Sequence, residues 1–245
     1  MGEGLVSSLF VAKLSTLASL NADDTAAIEN ATRFATSYKG KVDLIREGDR
    51  PGPVFVMLEG WACRYKVLPN GTRQIVGLLM PGDCCDLHIA LLTEMDHSIQ
   101  TITPAVVAKI DRIPMDALLD SHPSVAKAMY ISQLVDEGTM RAWITSMGRR
   151  SSIERLAHLM CELYIRAANV GLEVEPEFTM PLSQLLLADC LGMTPVHLNR
   201  VIREVRLAGA MTIGRGKVVI ADPKQLARLA GFDDTYLRRR SRSVM

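Results

Sequence analysis

The period of apolar and polar positions changes twice along the chain. Between about residues 32 and 112 the apolar or β-branched runs are short: Thr36 to Ile45, Val54 to Leu58, Trp61 to Leu68, Arg73 to Leu79, Ile99 to Thr103 and Ala105 to Ile110. Gly40, Gly48, Gly52, Gly60, Gly71 and Gly82 punctuate them. Short strands separated by turn residues at regular spacing predict an antiparallel barrel or roll, and Pro69-Asn70-Gly71 predicts a hairpin tip. A short helix over about residues 22–31, with Asp23 and Asp24 in its first turn, precedes the strands. After Pro123 the period becomes helical and stays so to about Met147. Ile131, Leu134, Val135, Gly138 and Ala142 form one stripe, and Met140, Trp143, Ile144 and Met147 a second. Two stripes on one helix predict two buried contacts, one with the roll and one with a second copy of the same helix. Gly148 to Ser152 is a joint, where Gly ends one helix and Ser151 or Ser152 caps the next, whose apolar face is Leu156, Leu159, Met160 and Leu163.

The most specific pattern lies between Ser183 and Arg206. Ser183 is an N-cap residue type opening a segment with Leu185, Leu186, Leu187, Ala188 and Leu191, and Gly192 ends it. Thr194 caps a second helix and Pro195 takes its first position, where a missing N–H costs nothing. That helix buries Leu198, Val201, Ile202 and Val205, and leaves His197, Asn199, Arg200, Arg203 and Arg206 outside. A helix with an apolar inner face and a cationic, hydrogen-bonding outer face suits a DNA major groove; the alternative reading is an ordinary helical hairpin packed on a core. Ala210 to Ala221 reads as strand, glycine turn, strand, which makes a wing with Arg215 and Lys217 at its tip.

Charge sharpens this reading. The chain has 245 residues and a net charge of only +1. From Arg200 onward, however, the basic residues are Arg200, Arg203, Arg206, Arg215, Lys217, Lys224, Arg228, Arg238, Arg239, Arg240 and Arg242, against Glu204, Asp222, Asp233 and Asp234. Positive charge concentrated at one end suits phosphate binding with counterion release, although Arg238 to Arg242 alone also fits a solvated tail. Apolar residues make up 48% of the sequence, enough for real cores. No apolar run reaches the roughly 20 residues of a membrane span, and Met1 to Leu20 has no basic start of the signal-peptide kind, so a cytoplasmic protein without a membrane partner is expected. Five cysteines, Cys63, Cys84, Cys85, Cys161 and Cys190, lack zinc spacing, so no metal and no cofactor are expected. Cys190 has two readings. It fills the core beside Leu187 and Leu191, the commoner habit of cysteine, or it is a redox input on the first helix of the pair. The sequence holds no phosphate-cradling loop and no nucleophile motif, so an enzyme is not expected.

The order roll, long helix, winged helix-turn-helix resembles the Crp/Fnr superfamily of bacterial transcription regulators. The resemblance rests on Arg46-Glu47-Gly48-Asp49, Val54 to Gly60, Leu68 to Gly71, Leu79-Met80-Pro81-Gly82-Asp83, Leu182 to Arg206 and Gly231 to Leu237. It implies an α+β fold with an antiparallel β-roll of the jelly-roll, cyclic-nucleotide-binding-like kind at residues 1–123, a dimerisation helix at 124–148 and a winged helix-turn-helix DNA-binding domain at 149–245. It implies a homodimer on a palindromic operator in double-stranded DNA, with RNA polymerase as a partner. Carried onto this sequence, it puts Val196, His197, Asn199 and Arg200 on the bases and Ser183, Thr194, Arg203, Arg215 and Lys217 on phosphates. The family's effector cassette follows Pro-Gly-Asp with Gly-Glu and has Arg-Ser/Thr-Ala downstream. Here Asp86 and Leu87 stand in place of Gly-Glu, and His97, Ser98 and Ile99 in place of the triplet. A neutral imidazole does not replace a bidentate, permanently charged guanidinium, and Leu87 cannot accept a ribose proton. Asp86, Leu87, His97 and Ser98 are therefore read as a degenerate effector pocket and the protein as a regulator not gated by cyclic AMP. The alternative is a ligand-gated regulator whose roll binds a cyclic nucleotide or another small molecule.

Overall fold

The computed structural model describes residues 3–85, 87, 91–172, 174, 177–214 and 216–237. They divide into two compact units, residues 1–134 and 135–245. In the first unit, helices α1 (Glu3–Leu17) and α2 (Ala22–Thr32) are followed by eight strands: β1 (Ala35–Tyr38), β2 (Asp43–Ile45), β3 (Val54–Glu59), β4 (Ala62–Val67), β5 (Arg73–Leu79), β6 (Cys84–Cys85), β7 (Ser98–Thr101) and β8 (Ala105–Ile110). Helix α3 (Arg112–Ser121) and the first half of α4 (Pro123–Arg149) complete it. The strands form two antiparallel four-stranded sheets, ordered β1-β8-β3-β6 and β2-β7-β4-β5. This is the expected roll.

The alternation along β3 explains the layering. Successive side chains of a strand point to opposite faces. Phe55 and Met57 join Ile45, Ala62, Leu79, Ile99 and Val107 in the cluster shared by the two sheets. Val54, Val56 and Leu58 join Phe10 and Leu14 of α1, Ile28 of α2, Met115 of α3 and Val125 of α4 on the other side. A strand buried on both faces reads as an uninterrupted apolar run, which is what Val54 to Leu58 is. Turn chemistry fixes the rest. Asn21 caps α2 in a capping box with Asp24, at 2.8 and 3.0 Å. Gly71 sits at φ +82° in the β4–β5 hairpin. Gly60 has φ +77°, and a Cβ there would lie 2.3 Å from the Pro104 carbonyl oxygen, so no larger residue fits. Lys13 of α1 pairs with Asp83 of the Pro-Gly-Asp turn at 2.7 Å, with both side chains largely buried. Sequence periodicity did not anticipate α1.

The second unit begins inside α4. It contains α5 (Ser152–Asn169), β9 (Phe178–Thr179), α6 (Gln184–Leu191), α7 (Pro195–Leu207), β10 (Met211–Gly214), β11 (Lys217–Ile220), α8 (Pro223–Ala230) and a 3-10 turn, Thr235–Leu237. Ser151 caps α5 in a capping box with Glu154. The wing has three strands, in the order β10-β11-β9, rather than the two of the sequence reading. Because the break in packing falls at Leu134/Val135, the second half of α4 belongs to the same compact unit as the winged helix. The two stripes expected on α4 also sort differently. Val135 and Gly138 are buried, while Tyr130, Leu134, Met140 and Ile144 are exposed.

Candidate nucleic-acid interface and effector pocket

Helices α6 and α7 form the tight pair expected between Ser183 and Arg206. The Ser183 hydroxyl accepts from the Leu186 N–H at 3.2 Å, and Gly192 ends α6 in the left-handed conformation at φ 60°. The Thr194 hydroxyl accepts from the His197 N–H at 3.2 Å, and Pro195 opens α7. Each capping hydroxyl uses a lone pair in this way and keeps its O–H proton to donate to a phosphate. Leu198, Val201 and Val205 form the buried face of α7, with Ile202 only half-buried at its margin. Val196, Asn199, Arg200, Arg203 and Arg206 are exposed, and Val196 shows 75% of its surface.

His197 behaves differently from its neighbours. It is half-buried, and its Nε2 lies 2.7 Å from the Ser152 hydroxyl at the start of α5. The ring thus ties α7 to α5 and is not presented with the exposed residues. Lys217 at the start of β11 pairs with Glu177 just before β9. Arg215 lies outside the described residues, as do Arg238 to Arg242. Of the sequence-predicted set, the structure therefore gathers Ser183, Thr194, Val196, Asn199, Arg200 and Arg203 on one exposed helix pair.

A buried polar network stands behind this pair and was not legible in the sequence. Glu162 of α5 is fully buried. It accepts from Trp143 Nε1 of α4 at 2.9 Å, from the Tyr236 hydroxyl at 3.1 Å and from Arg166 at 3.2 Å. Burial raises the Glu162 carboxyl above the usual carboxylate range, with Arg166 and the donors pulling the other way. Burial, and then the neighbouring Glu162, likewise raise Tyr236. Tyr236 also packs on Gly138, where an added Cβ would come within 3.2 Å of the tyrosine Cβ. The end of α4 is thereby fastened to the winged helix.

Of the four residues read as a degenerate effector pocket, the structure describes Leu87, His97 and Ser98. His97 is buried, and its Nδ1 lies 2.7 Å from the Asp96 carboxylate. The Ser98 hydroxyl accepts from the Glu47 N–H at 3.0 Å. Leu87 packs against the cluster under the helices, and Ile99 fills the space between the sheets with Phe55, Met57 and Leu79. Asp86 lies outside the described residues. None of the described replacements supplies a carboxylate for the ribose or a guanidinium for the phosphate. Among the described residues no group of three or more His, Cys, Asp or Glu could hold a metal ion, and no helix is long and apolar enough to cross a membrane.

The fold and the exposed helix pair define a class: a sensor-type roll and a winged helix-turn-helix carried on one chain. Residues 35–122 match the cyclic nucleotide-binding domain and residues 154–229 the Crp-like helix-turn-helix domain. The nitrogen fixation regulation protein FixK of Bradyrhizobium diazoefficiens is 26% identical over 213 residues, covering 86% of this chain and 88% of its own. The transcriptional activator protein FnrL of Cereibacter sphaeroides is 24% identical over 217 residues, covering 87% and 86%. The structure of FixK2 from Bradyrhizobium japonicum superposes with a TM-score of 0.71 at 21% identity, covering 80% of this chain and 96% of that one. The chain belongs to the Crp/Fnr superfamily of DNA-binding transcription regulators.

Proposed function

We propose that the protein binds a two-fold symmetric operator as a homodimer in the cytoplasm, without a requirement for cyclic AMP, and acts on transcription together with RNA polymerase. It is a binding protein in this reading, not an enzyme. The observation that carries it is α7, which seats Leu198, Val201 and Val205 in the unit's core and turns Val196, Asn199 and Arg200 outward. Asn and Arg are the side chains that read adenine and guanine edges bidentately, and an apolar side chain suits a thymine methyl. Dimerisation is supported by the exposed Tyr130, Leu134, Met140 and Ile144 on one long helix. Independence from cyclic AMP is supported by Leu87, by the His97–Asp96 pair and by the commitment of Ser98 to Glu47.

Selection of bound duplexes from a random pool tests the reading directly. A palindromic consensus recovered without nucleotide is the expected result, and failure to enrich any sequence overturns it. The match to a cyclic nucleotide-binding domain over residues 35–122 favours the alternative of a ligand-gated roll. Thermal melting with and without cyclic AMP separates the two. No shift at millimolar nucleotide is expected, since losing a charged hydrogen-bond partner costs about 1.5–3 kcal/mol and two such anchors are replaced. A clear upward shift establishes gating instead.

A further inference from the structure

Helices α4 and α5 are joined by only two residues, Arg150 and Ser151, shortly after the exposed Gly148. A short connection next to a glycine permits several angles between two helices, so contacts elsewhere fix the angle. Helix α5 packs broadly on α7 and α8, whereas among the described residues the backbone of α4 approaches this layer at few points. Two fastenings are polar. The Arg155 guanidinium of α5 donates to the Met147 carbonyl of α4 at 3.2 Å and to the Leu191 carbonyl of α6 at 2.8 Å. One turn earlier in α4, Trp143 Nε1 shares an oxygen of Glu162 with the Tyr236 hydroxyl, at 2.9 and 3.1 Å.

The second fastening comes from the far end of the chain. Tyr236 lies in the 3-10 turn Thr235–Leu237 that follows α8. The turn is held in shape. The Asp233 carboxylate accepts from the Thr235 N–H at 2.9 Å, the Asp234 carbonyl accepts from the Leu237 N–H at 2.9 Å, and the Leu237 side chain is buried. The Tyr236 ring lies parallel to that of His158 in α5, with centroids 6.0 Å apart. The backbone of the turn lies against α4 at Gly138, where an added Cβ would come within 3.2 Å of the tyrosine Cβ and 3.3 Å of its carbonyl oxygen. Glycine in a helix interior is unfavourable relative to alanine, and at this position its missing side chain makes room for the turn. Tyr236 thus touches α5 twice, through ring and hydroxyl, and α4 once, through its backbone.

We propose that Tyr236 is a positioning residue for operator recognition: it fixes the tilt of α4 on α5 and thereby sets the spacing of the two half-sites. This rests on the homodimer of the proposed function. In that dimer α4 carries the seam, and Met140 and Ile144, both exposed, lie on the half of α4 that belongs to the winged-helix unit. The recognition helix moves with α5, because His197 Nε2 of α7 lies 2.7 Å from the Ser152 hydroxyl at the start of α5. A tilt of α4 on α5 therefore displaces α7 from its symmetry mate. Each base pair added between half-sites moves one of them by about 3.4 Å and turns it by roughly 35°. A dimer with a fixed tilt accepts one spacing, and a dimer with a loose tilt accepts several.

The test uses the full-length protein and the palindrome recovered from the random pool, a single half-site from it, and palindromes with one base pair inserted or removed at the centre. For wild type, a change of one base pair in spacing is expected to weaken binding at least about tenfold. Tyr236→Ala and Gly138→Leu part the turn from α4 from opposite sides. Both are expected to cut that penalty to about threefold or less while keeping the wild-type affinity for the half-site. Tyr236→Phe keeps the ring and removes only the hydroxyl, and is expected to fall between. A full wild-type penalty in both Tyr236→Ala and Gly138→Leu overturns the proposal. So does an equal loss on half-site and palindrome, which marks a merely structural defect. Hydrogen exchange without DNA reads the fastening itself. Amides of residues 138–147 are expected to exchange faster in Tyr236→Ala, with those of α5 unchanged, and unchanged exchange in α4 overturns the fastening. If Tyr236→Ala loosens α5 as well, Tyr236→Phe carries both comparisons. Wild-type protein that prefers no palindrome refutes the homodimer and the spacing role with it, while the exchange result still decides whether Tyr236 holds α4.

Discussion

At the scale of single residues, the reading of DNA divides between side chains that choose a sequence and side chains that hold a phosphate. Arg200 is exposed one turn into α7, and the proposed function puts it in the first kind. Arg200→Ala is expected to cost roughly 1–3 kcal/mol at one base pair and to relax selectivity there, as read by competition among operator variants. Unchanged affinity and selectivity would remove Arg200 from the recognition surface. The proposed function puts Lys217 in the second kind, and in the DNA-free protein it is held by Glu177. Lys217→Ala is expected to weaken all sequences alike and to flatten the salt dependence by about one unit. Glu177→Gln removes the competing carboxylate and is expected to tighten all sequences alike. A change confined to one operator variant, in either mutant, contradicts a phosphate role. His197 shows the limit of reading residues one by one. Its place next to the recognition turn suggests a base contact, while its Nε2 lies against the hydroxyl of Ser152, 45 positions earlier in the chain.

Among elements, what the sequence made legible was what is written locally. The roll announces itself through glycine turns and the double-faced run of β3, and α6 and α7 through Ser183, Gly192, Thr194 and Pro195. Other features depend on partners distant in the chain. Strand β9 is two residues long and exists through its pairing with β11. Helix α1 has no sharp apolar face, and its place follows from the burial of Phe10 and Leu14 against the roll. The Glu162 network joins residues 19 and 74 positions apart. His158, beside Glu162 in the same helix layer, makes this layer pH-sensitive. Its pKa is depressed to about 4 from an ordinary 6.5. The folded state thus binds fewer protons than the unfolded state between these values. The resulting stability is fully present above about pH 6.5 and is lost as pH falls through about 4, up to roughly 3 kcal/mol in all. Glu162, raised by burial, acts in the opposite sense, so the wild-type profile is a difference of the two. His158→Leu is expected to have a lower melting temperature at neutral pH but a smaller further drop towards pH 4. Parallel profiles in wild type and variant would remove His158 as the cause.

For the whole molecule, the question is what covers α4. Its exposed apolar side chains, Tyr130, Leu134, Met140 and Ile144, lie on a helix whose other side is already in use, with Val135 and Gly138 buried and Trp143 bonded to Glu162. Fully burying one such side chain contributes about 1.5–3 kcal/mol, and a two-fold contact counts each residue twice. Self-pairing along α4 is therefore the expected resting state. It also brings two copies of α7 to one duplex, since half-sites one helical turn apart, about 34 Å, require a symmetric reader. Leu134→Glu and Ile144→Glu place carboxylates in that seam, where each meets its own symmetry mate and neither is paired. Both variants are expected to sediment as monomers with native-like circular dichroism. They are expected to bind the palindrome no better than a single half-site, because the second contact is no longer intramolecular. Testing two positions guards against a substitution that simply unfolds the chain, and the dichroism spectrum identifies that case. Wild-type protein that sediments as a monomer at working concentration yet binds the palindrome tightly would sink the dimer. So would a Glu variant at either position that stays folded, dimeric and fully active, because the seam then lies on another face.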